Sequence, residues 1–307
     1  MNAKLHAVYW IIVASKARRL LVGVICLVAI LAAAITYADH TAYKQGLLWE
    51  IVTPGQPASY LFGTIHSEDS RVVELPTIVS TTLKAADTLV LEAPVDSEAE
   101  TITFQGMLFT DSTRLPKVIN PELYQRTLSA MAERGFPQQV VNVLKPWAIS
   151  IILSVPKPDT GLFLDLFLMQ MANAQSIPVL SLETVGEQLG ILNGFSLNEQ
   201  VQMLKDTLNE LPKIPALHEQ LIRAYLDRDL VRLVSISEQS MGMGSVELSE
   251  KLSEQLIVQR NKRMVDRMEP MLLKGKVFVA VGALHLPGEG GILSLLVARG
   301  HQVKAMY

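Results

Sequence analysis

The chain is nearly free of cysteine. Its single thiol, Cys26, lies in an apolar run near the N-terminus, which excludes an intramolecular disulfide and a cysteine-rich zinc site. It also lacks a basic excess: 27 Lys and Arg stand against 30 Asp and Glu, the net charge is −3, and the isoelectric point is near 6.1. That balance leaves no electrostatic footprint for nucleic acid. Several signatures are absent. There is no Gly-x-Ser-x-Gly elbow, no His-Glu-x-x-His helix, no phosphate-loop lysine and no dinucleotide fingerprint. With no thiol beyond residue 26, hydrolytic chemistry in the body would have to use water, activated by a base or a metal.

What is present begins with the leader. Lys16, Arg18 and Arg19 precede an uncharged apolar run from Leu20 to Ile35, and Thr36-Tyr37-Ala38 then lead to Asp39-His40. A basic segment, an apolar core and a small-residue exit read as a secretory signal over residues 1–38. Left uncleaved, residues 20–35 would anchor the chain in the membrane with the basic side inside. Either route places residues 39–307 outside the cytoplasm, in the periplasm or tethered to the membrane.

The body alternates strand and helix signals. Leu48–Val52 and Ser59–Phe62 flank the turn-rich Thr53-Pro54-Gly55-Gln56-Pro57 and predict a hairpin. A helix is expected near Thr77–Ala86, a strand at Thr88–Leu91 and another at Ile177–Leu180. Asn120-Pro121-Glu122 starts a helix. A helix opened by Phe136-Pro137 should break or kink at Pro146. Leu162–Ala174 is strongly apolar. A long charged helix is expected from about Val246 to Met268, then a last core strand to Val281 and a helix near Gly290–Arg299. The pattern predicts an α/β fold, a central mixed sheet with flanking helices. The helix-rich stretch of about 121–268 is too long for one crossover and predicts a helical lobe.

Two Gly-x-x-His units mark the ends of this body. Gly63-Thr64-Ile65-His66 follows Tyr60-Leu61-Phe62, and Gly282-Ala283-Leu284-His285 follows Val277-Phe278-Val279-Ala280-Val281. In each, a glycine is expected to turn the chain sharply and present an imidazole at a strand end. Glu92 follows the Thr88–Leu91 strand, and Glu183 follows the strand near Val179. Two imidazoles and one or two carboxylates suit a divalent metal, and equally a metal-free acid–base set. Glu183 is also placed to serve the first turn of the next helix. Arg260, Arg263 and Arg267 share a helix face, ordinarily a solvated one. One of them aimed at the strand ends would bind a substrate carboxylate or hold Glu92 ionised. Gly288-Glu289-Gly290-Gly291 reads as a loop that lets the backbone approach the sheet. His6, His40, His218 and His301 have no supporting pattern.

Taken in order, Leu61-Phe62-Gly63-Thr64-Ile65-His66, Leu91-Glu92, Lys145-Pro146-Trp147, Leu182-Glu183-Thr184, Arg260-Asn261 and Val281-Gly282-Ala283-Leu284-His285-Leu286-Pro287-Gly288 resemble the TraB/GumN family, which includes the Tiki proteases. The likeness runs from about Leu47 to the C-terminus. It departs at His301, where a tyrosine is common. The resemblance implies an α/β fold shared with erythromycin esterase and ChaN-like haem-uptake proteins. It also implies a metal-dependent hydrolase, most simply a peptidase, with manganese or cobalt as the ion. On that reading His66, His285 and a carboxylate, Glu92 or Glu183, hold the metal, and Glu92 is ligand or general base. Arg260 orients substrate or stabilises the oxyanion, and Asn261 is its neighbour in substrate binding. The alternatives are a non-catalytic protein sequestering a peptide or small ligand, and a metal-free esterase-like hydrolase. The expected partner is a peptide or other small substrate, with no nucleic acid, and with membrane association through residues 20–35.

Overall fold

A computed structural model describes residues 43–157, 159–241 and 246–307. The leader expected over residues 1–38, and with it the signal or anchor, lies outside these residues. The chain divides into two compact units. One holds residues 43–95, 162–184 and 219–307; the other holds 96–161 and 185–218. The helix-rich stretch of 121–268 is thus shared between them.

The first unit carries the sheet. Its strands are β1 (Leu48–Val52), β2 (Ser59–Thr64), β3 (Thr88–Leu91), β4 (Val179–Ser181), β5 (Val277–Gly282) and β6 (Gln302–Ala305), in the order β4-β3-β5-β2-β1-β6. The pairs β4–β3, β3–β5 and β5–β2 are parallel, whereas β1 pairs antiparallel with both β2 and β6. The result is an α/β fold with a mixed six-stranded sheet. The central strands are the most apolar: Val277–Val281 and Leu89–Leu91 are buried throughout, as strands covered on both faces must be. At the rim, β6 is mostly exposed.

Four parallel strands end at the same edge of the sheet. That edge is where open α/β sheets build their sites, and it fixes the starting points of His66, Glu92, Glu183 and His285. The helix Leu164–Ala174 packs on β3 and β4 and brings Asp165 in its first turn. The charged helix expected from 246 to 268 is instead two helices, Val246–Ser253 and Gln259–Leu272, joined by a π-turn over Glu254–Val258. The wider turn shifts the phase of the second helix relative to the first. Arg260, Asn261, Met264, Val265 and Met268 then form the buried stripe.

The glycine of the first Gly-x-x-His unit does not act as expected. Neither Gly63 nor Gly282 has a positive φ. A Cβ on Gly63 would instead sit 2.7 Å from Leu286 Cδ1 and 3.1 Å from Ala283, so the residue is glycine because the turn after β5 packs directly on it.

The second unit is helical, with Ser97–Met107, Pro121–Glu133, Pro146–Ser154, Val185–Asn193 and Leu197–Glu210. Asn120 caps Pro121–Glu133 by accepting from the Leu123 N–H at 2.8 Å, as expected. Pro146 corrects the sequence reading. It does not break a helix but begins one, at the first position where its missing N–H costs nothing. The segment before it holds only a single turn, Gln138–Val141. The Lys-Pro-Trp motif is a brace. Lys145 Nζ donates to the Gly106 carbonyl (2.8 Å) and to Asn193 Oδ1 (2.7 Å), and Trp147 Nε1 donates to the same Asn193 oxygen (3.1 Å).

Candidate active site

Glu92 is the hub of the strand-end edge. It is 4% exposed, and both its oxygens are engaged. Oε1 accepts from Arg260 Nη2, and Oε2 accepts from the Gly282 backbone N–H at 3.1 Å. The second Gly-x-x-His unit therefore donates its own glycine amide to the carboxylate at the end of β3.

Arg260 is fully buried and spans two acids. Beyond Glu92 it donates from Nε to Glu183 Oε2 at 2.8 Å, and from Nη1 to the Leu256 carbonyl at 3.3 Å. Burial works against its charge, but Glu92 and Glu183 outweigh burial and hold the guanidinium protonated above its ordinary value. The other oxygen of Glu183 accepts from Arg263 Nε at 3.0 Å and from Arg263 Nη2. Arg267 Nη1 donates to the Leu182 carbonyl at 2.6 Å. The three arginines thus all reach the strand ends; Arg260 is enclosed, whereas Arg263 is part-exposed and Arg267 keeps the exposed position expected of a solvated face. Glu183 anchors two of them.

His285 is fully buried, and its orientation is set from behind. Asn261 Nδ2 donates to the Gly290 carbonyl at 2.7 Å, which leaves its Oδ1 as an acceptor. That oxygen lies 2.6 Å from His285 Nδ1, so Nδ1 carries the proton. Burial and the nearby Arg260 charge push the His285 pKa well below its ordinary value. A neutral ring protonated at Nδ1 presents a bare lone pair at Nε2. This nitrogen has no hydrogen-bond partner and lies 3.7 Å from Glu92 Oε2.

His66 reaches the same edge from β2. It lines a cleft with Thr64, Ile65, Glu92, Asp165, Leu221, Leu233, Gly282, Ala283 and Leu284. The cleft has room for a water or an ion. Phe163 stacks on the His66 ring at 4.1 Å. Tyr225, also buried, donates its hydroxyl to the Gly63 carbonyl at 2.9 Å and fixes the turn that leads to His66.

The structure thus joins Glu92, Glu183, Arg260, Asn261 and His285 by direct contacts, and puts His66 on the cleft that Glu92 lines. The sequence reading missed Asp165, Phe163 and Tyr225. Asp165 left one signal, a lone acid inside an apolar helix. Phe163 and Tyr225 left none. His301 is a structural pin, with Nδ1 at 2.9 Å from Thr53 Oγ1 and Nε2 at 3.1 Å from the Glu269 carboxylate.

Residues 47–305 match the TraB/PrgY/gumN family. The chain belongs to that family. It is 29% identical over 252 residues to the uncharacterized protein YbaP of Shigella flexneri, an alignment covering 80% of this chain and 90% of YbaP. YbaP of Escherichia coli (strain K12) is 28% identical over the same lengths. More distantly, the zebrafish (Danio rerio) metalloprotease TIKI2 is 23% identical over 317 residues, 85% of this chain and 61% of TIKI2. No solved structure is significantly similar to the chain.

TIKI2 is named a metalloprotease, and the strand ends of this chain hold two side chains of types that can ligate a divalent metal. The orphaned Nε2 of His285 lies across from the Oε2 of Glu92. Their 3.7 Å separation is one that two ligands of a single ion, each about 2.0–2.2 Å from it, can adopt. Among the described residues, no three His, Cys, Asp or Glu side chains are gathered as a complete ligand set.

Proposed function

We propose that this member of the family is a metal-dependent hydrolase that cleaves peptides outside the cytoplasm. The observation that carries the reading is the His285–Glu92 pair: a neutral imidazole with its lone pair fixed towards a carboxylate, beside a cleft with room for a water. His285, Glu92 and His66 are the residues that would hold a divalent ion. When bound, it would acidify a water and polarise a carbonyl.

The protein's own contribution is preorganisation. Arg260 and the Gly282 amide fix the direction of Glu92, the carboxylate that would serve as ligand or general base. Being fully enclosed, Arg260 acts through Glu92 and does not touch substrate. Asn261 fixes the tautomer of His285, and Glu183 fixes Arg260. Leu221, Leu233 and Leu284 give the cleft apolar walls that limit bulk water. The peptide class is carried by the similarity to TIKI2, and export by the basic and apolar segments before residue 39.

A metal-free hydrolase is the second reading, and the incomplete ligand set favours it. A screen of the purified chain on peptide and ester libraries separates the two. It is run after chelation, and again with manganese, cobalt or zinc restored. Turnover that returns only with an ion supports the first reading. Turnover indifferent to the ion supports the second. No turnover under any condition points to a sequestering protein.

A further inference from the structure

Asp165 is 5% exposed, in the first turn of a helix in which it is the one charged residue. Thr64 Oγ1 donates to its Oδ1 at 2.9 Å and immobilises the carboxylate. Its Oδ2 has no hydrogen-bond partner and lies 3.6 Å from His66 Nδ1, which also has none. A buried polar atom left unpaired is costly, and these two face each other. Phe163 lies flat against the ring and holds its plane. The arrangement mirrors the other end of the site, where Asn261 holds Nδ1 of His285.

We infer that Asp165 is the positioning residue of His66. It accepts the Nδ1–H of the neutral ring and so leaves Nε2, across the ring, as a bare lone pair. Either role of His66, as a ligand or as a proton acceptor, needs that tautomer; the opposite one would present an N–H. An Asp in a first helical turn can also serve only the helix end, and that plainer role makes no demand on the imidazole. The consequence for metal binding rests on the hydrolase reading above, whereas the tautomer of His66 does not.

The test is nitrogen-15 NMR of the full chain labelled at histidine, metal-free, at pH 8, with His66→Gln to assign the resonance. Wild-type His66 should carry its proton on Nδ1. In Asp165→Asn the amide oxygen keeps its bond to Thr64 and the NH2 group faces Nδ1. His66 should then switch to the Nε2–H tautomer. A wild-type ring that carries its proton on Nε2 and not on Nδ1 overturns the role, whether or not the variant folds. So does an unchanged tautomer in Asp165→Asn. Cobalt titration adds a second readout: Asp165→Asn should bind about 10–100-fold more weakly. A wild type that binds no cobalt sinks the metal reading, and the tautomer still decides the role of Asp165.

Discussion

Arg260 and Glu92 form an ion pair with almost no access to water, and a second acid, Glu183, completes it. Buried pairs of this kind contribute little net stability when intact and cost much when one partner is removed. Arg260→Ala should therefore destabilise the fold by about 3–5 kcal/mol, read as a lower midpoint in urea. Arg260→Lys should lose most activity, because one ammonium cannot span both carboxylates as the planar fork does.

The depressed pKa of His285 makes stability depend on pH. Above about pH 6.5 the ring is neutral in both the folded and unfolded chain and contributes no slope. Below that value the unfolded chain binds a proton that the folded chain refuses. Stability then falls as pH falls, by up to about 1.4 kcal/mol per unit, until the folded ring itself titrates. Urea midpoints of the metal-free protein between pH 7 and pH 5 should show this decline, and His285→Gln should show less of it.

Two glycine substitutions should have opposite signs. Gly63→Ala drives a Cβ into Leu286 and Ala283 and should cost about 1–3 kcal/mol. Gly190→Ala lies in the helix Val185–Asn193 with nothing within 4 Å of the new Cβ. It should stabilise by about 0.5–1 kcal/mol. Thermal midpoints of the two variants check both.

Tyr225→Phe removes the hydroxyl that satisfies the Gly63 carbonyl. The orphaned carbonyl should cost about 1–3 kcal/mol in urea. Activity should fall as well, because the same bond fixes the turn before His66.

The sequence made one edge of the site legible and hid the other. Apolar runs that end in Gly-x-x-His or in a lone Glu mark strand ends by composition alone, so His66, Glu92, Glu183 and His285 could be singled out. The reason for Gly63 could not, because close packing across more than two hundred residues leaves no local mark. Arg260 was read with Arg263 and Arg267 as one ordinarily solvated face, because three-and-four spacing says which residues share a face and not how deeply each is buried. Pro146 was ambiguous because proline both ends and begins helices. Asp165 was masked by the apolar residues around it.

Peptide turnover by chelator-stripped protein, before and after manganese or cobalt is restored, tests the two-histidine site most directly. It is measured for the wild type and for His66→Ala, His285→Ala and Glu92→Gln. The wild type should be silent when stripped and active when the ion returns. Each single variant should stay silent, and His66→Ala/His285→Ala should be hardly worse than either alone, as residues of one unit behave. Undiminished turnover in the stripped wild type, or full activity in His285→Ala, would contradict the account.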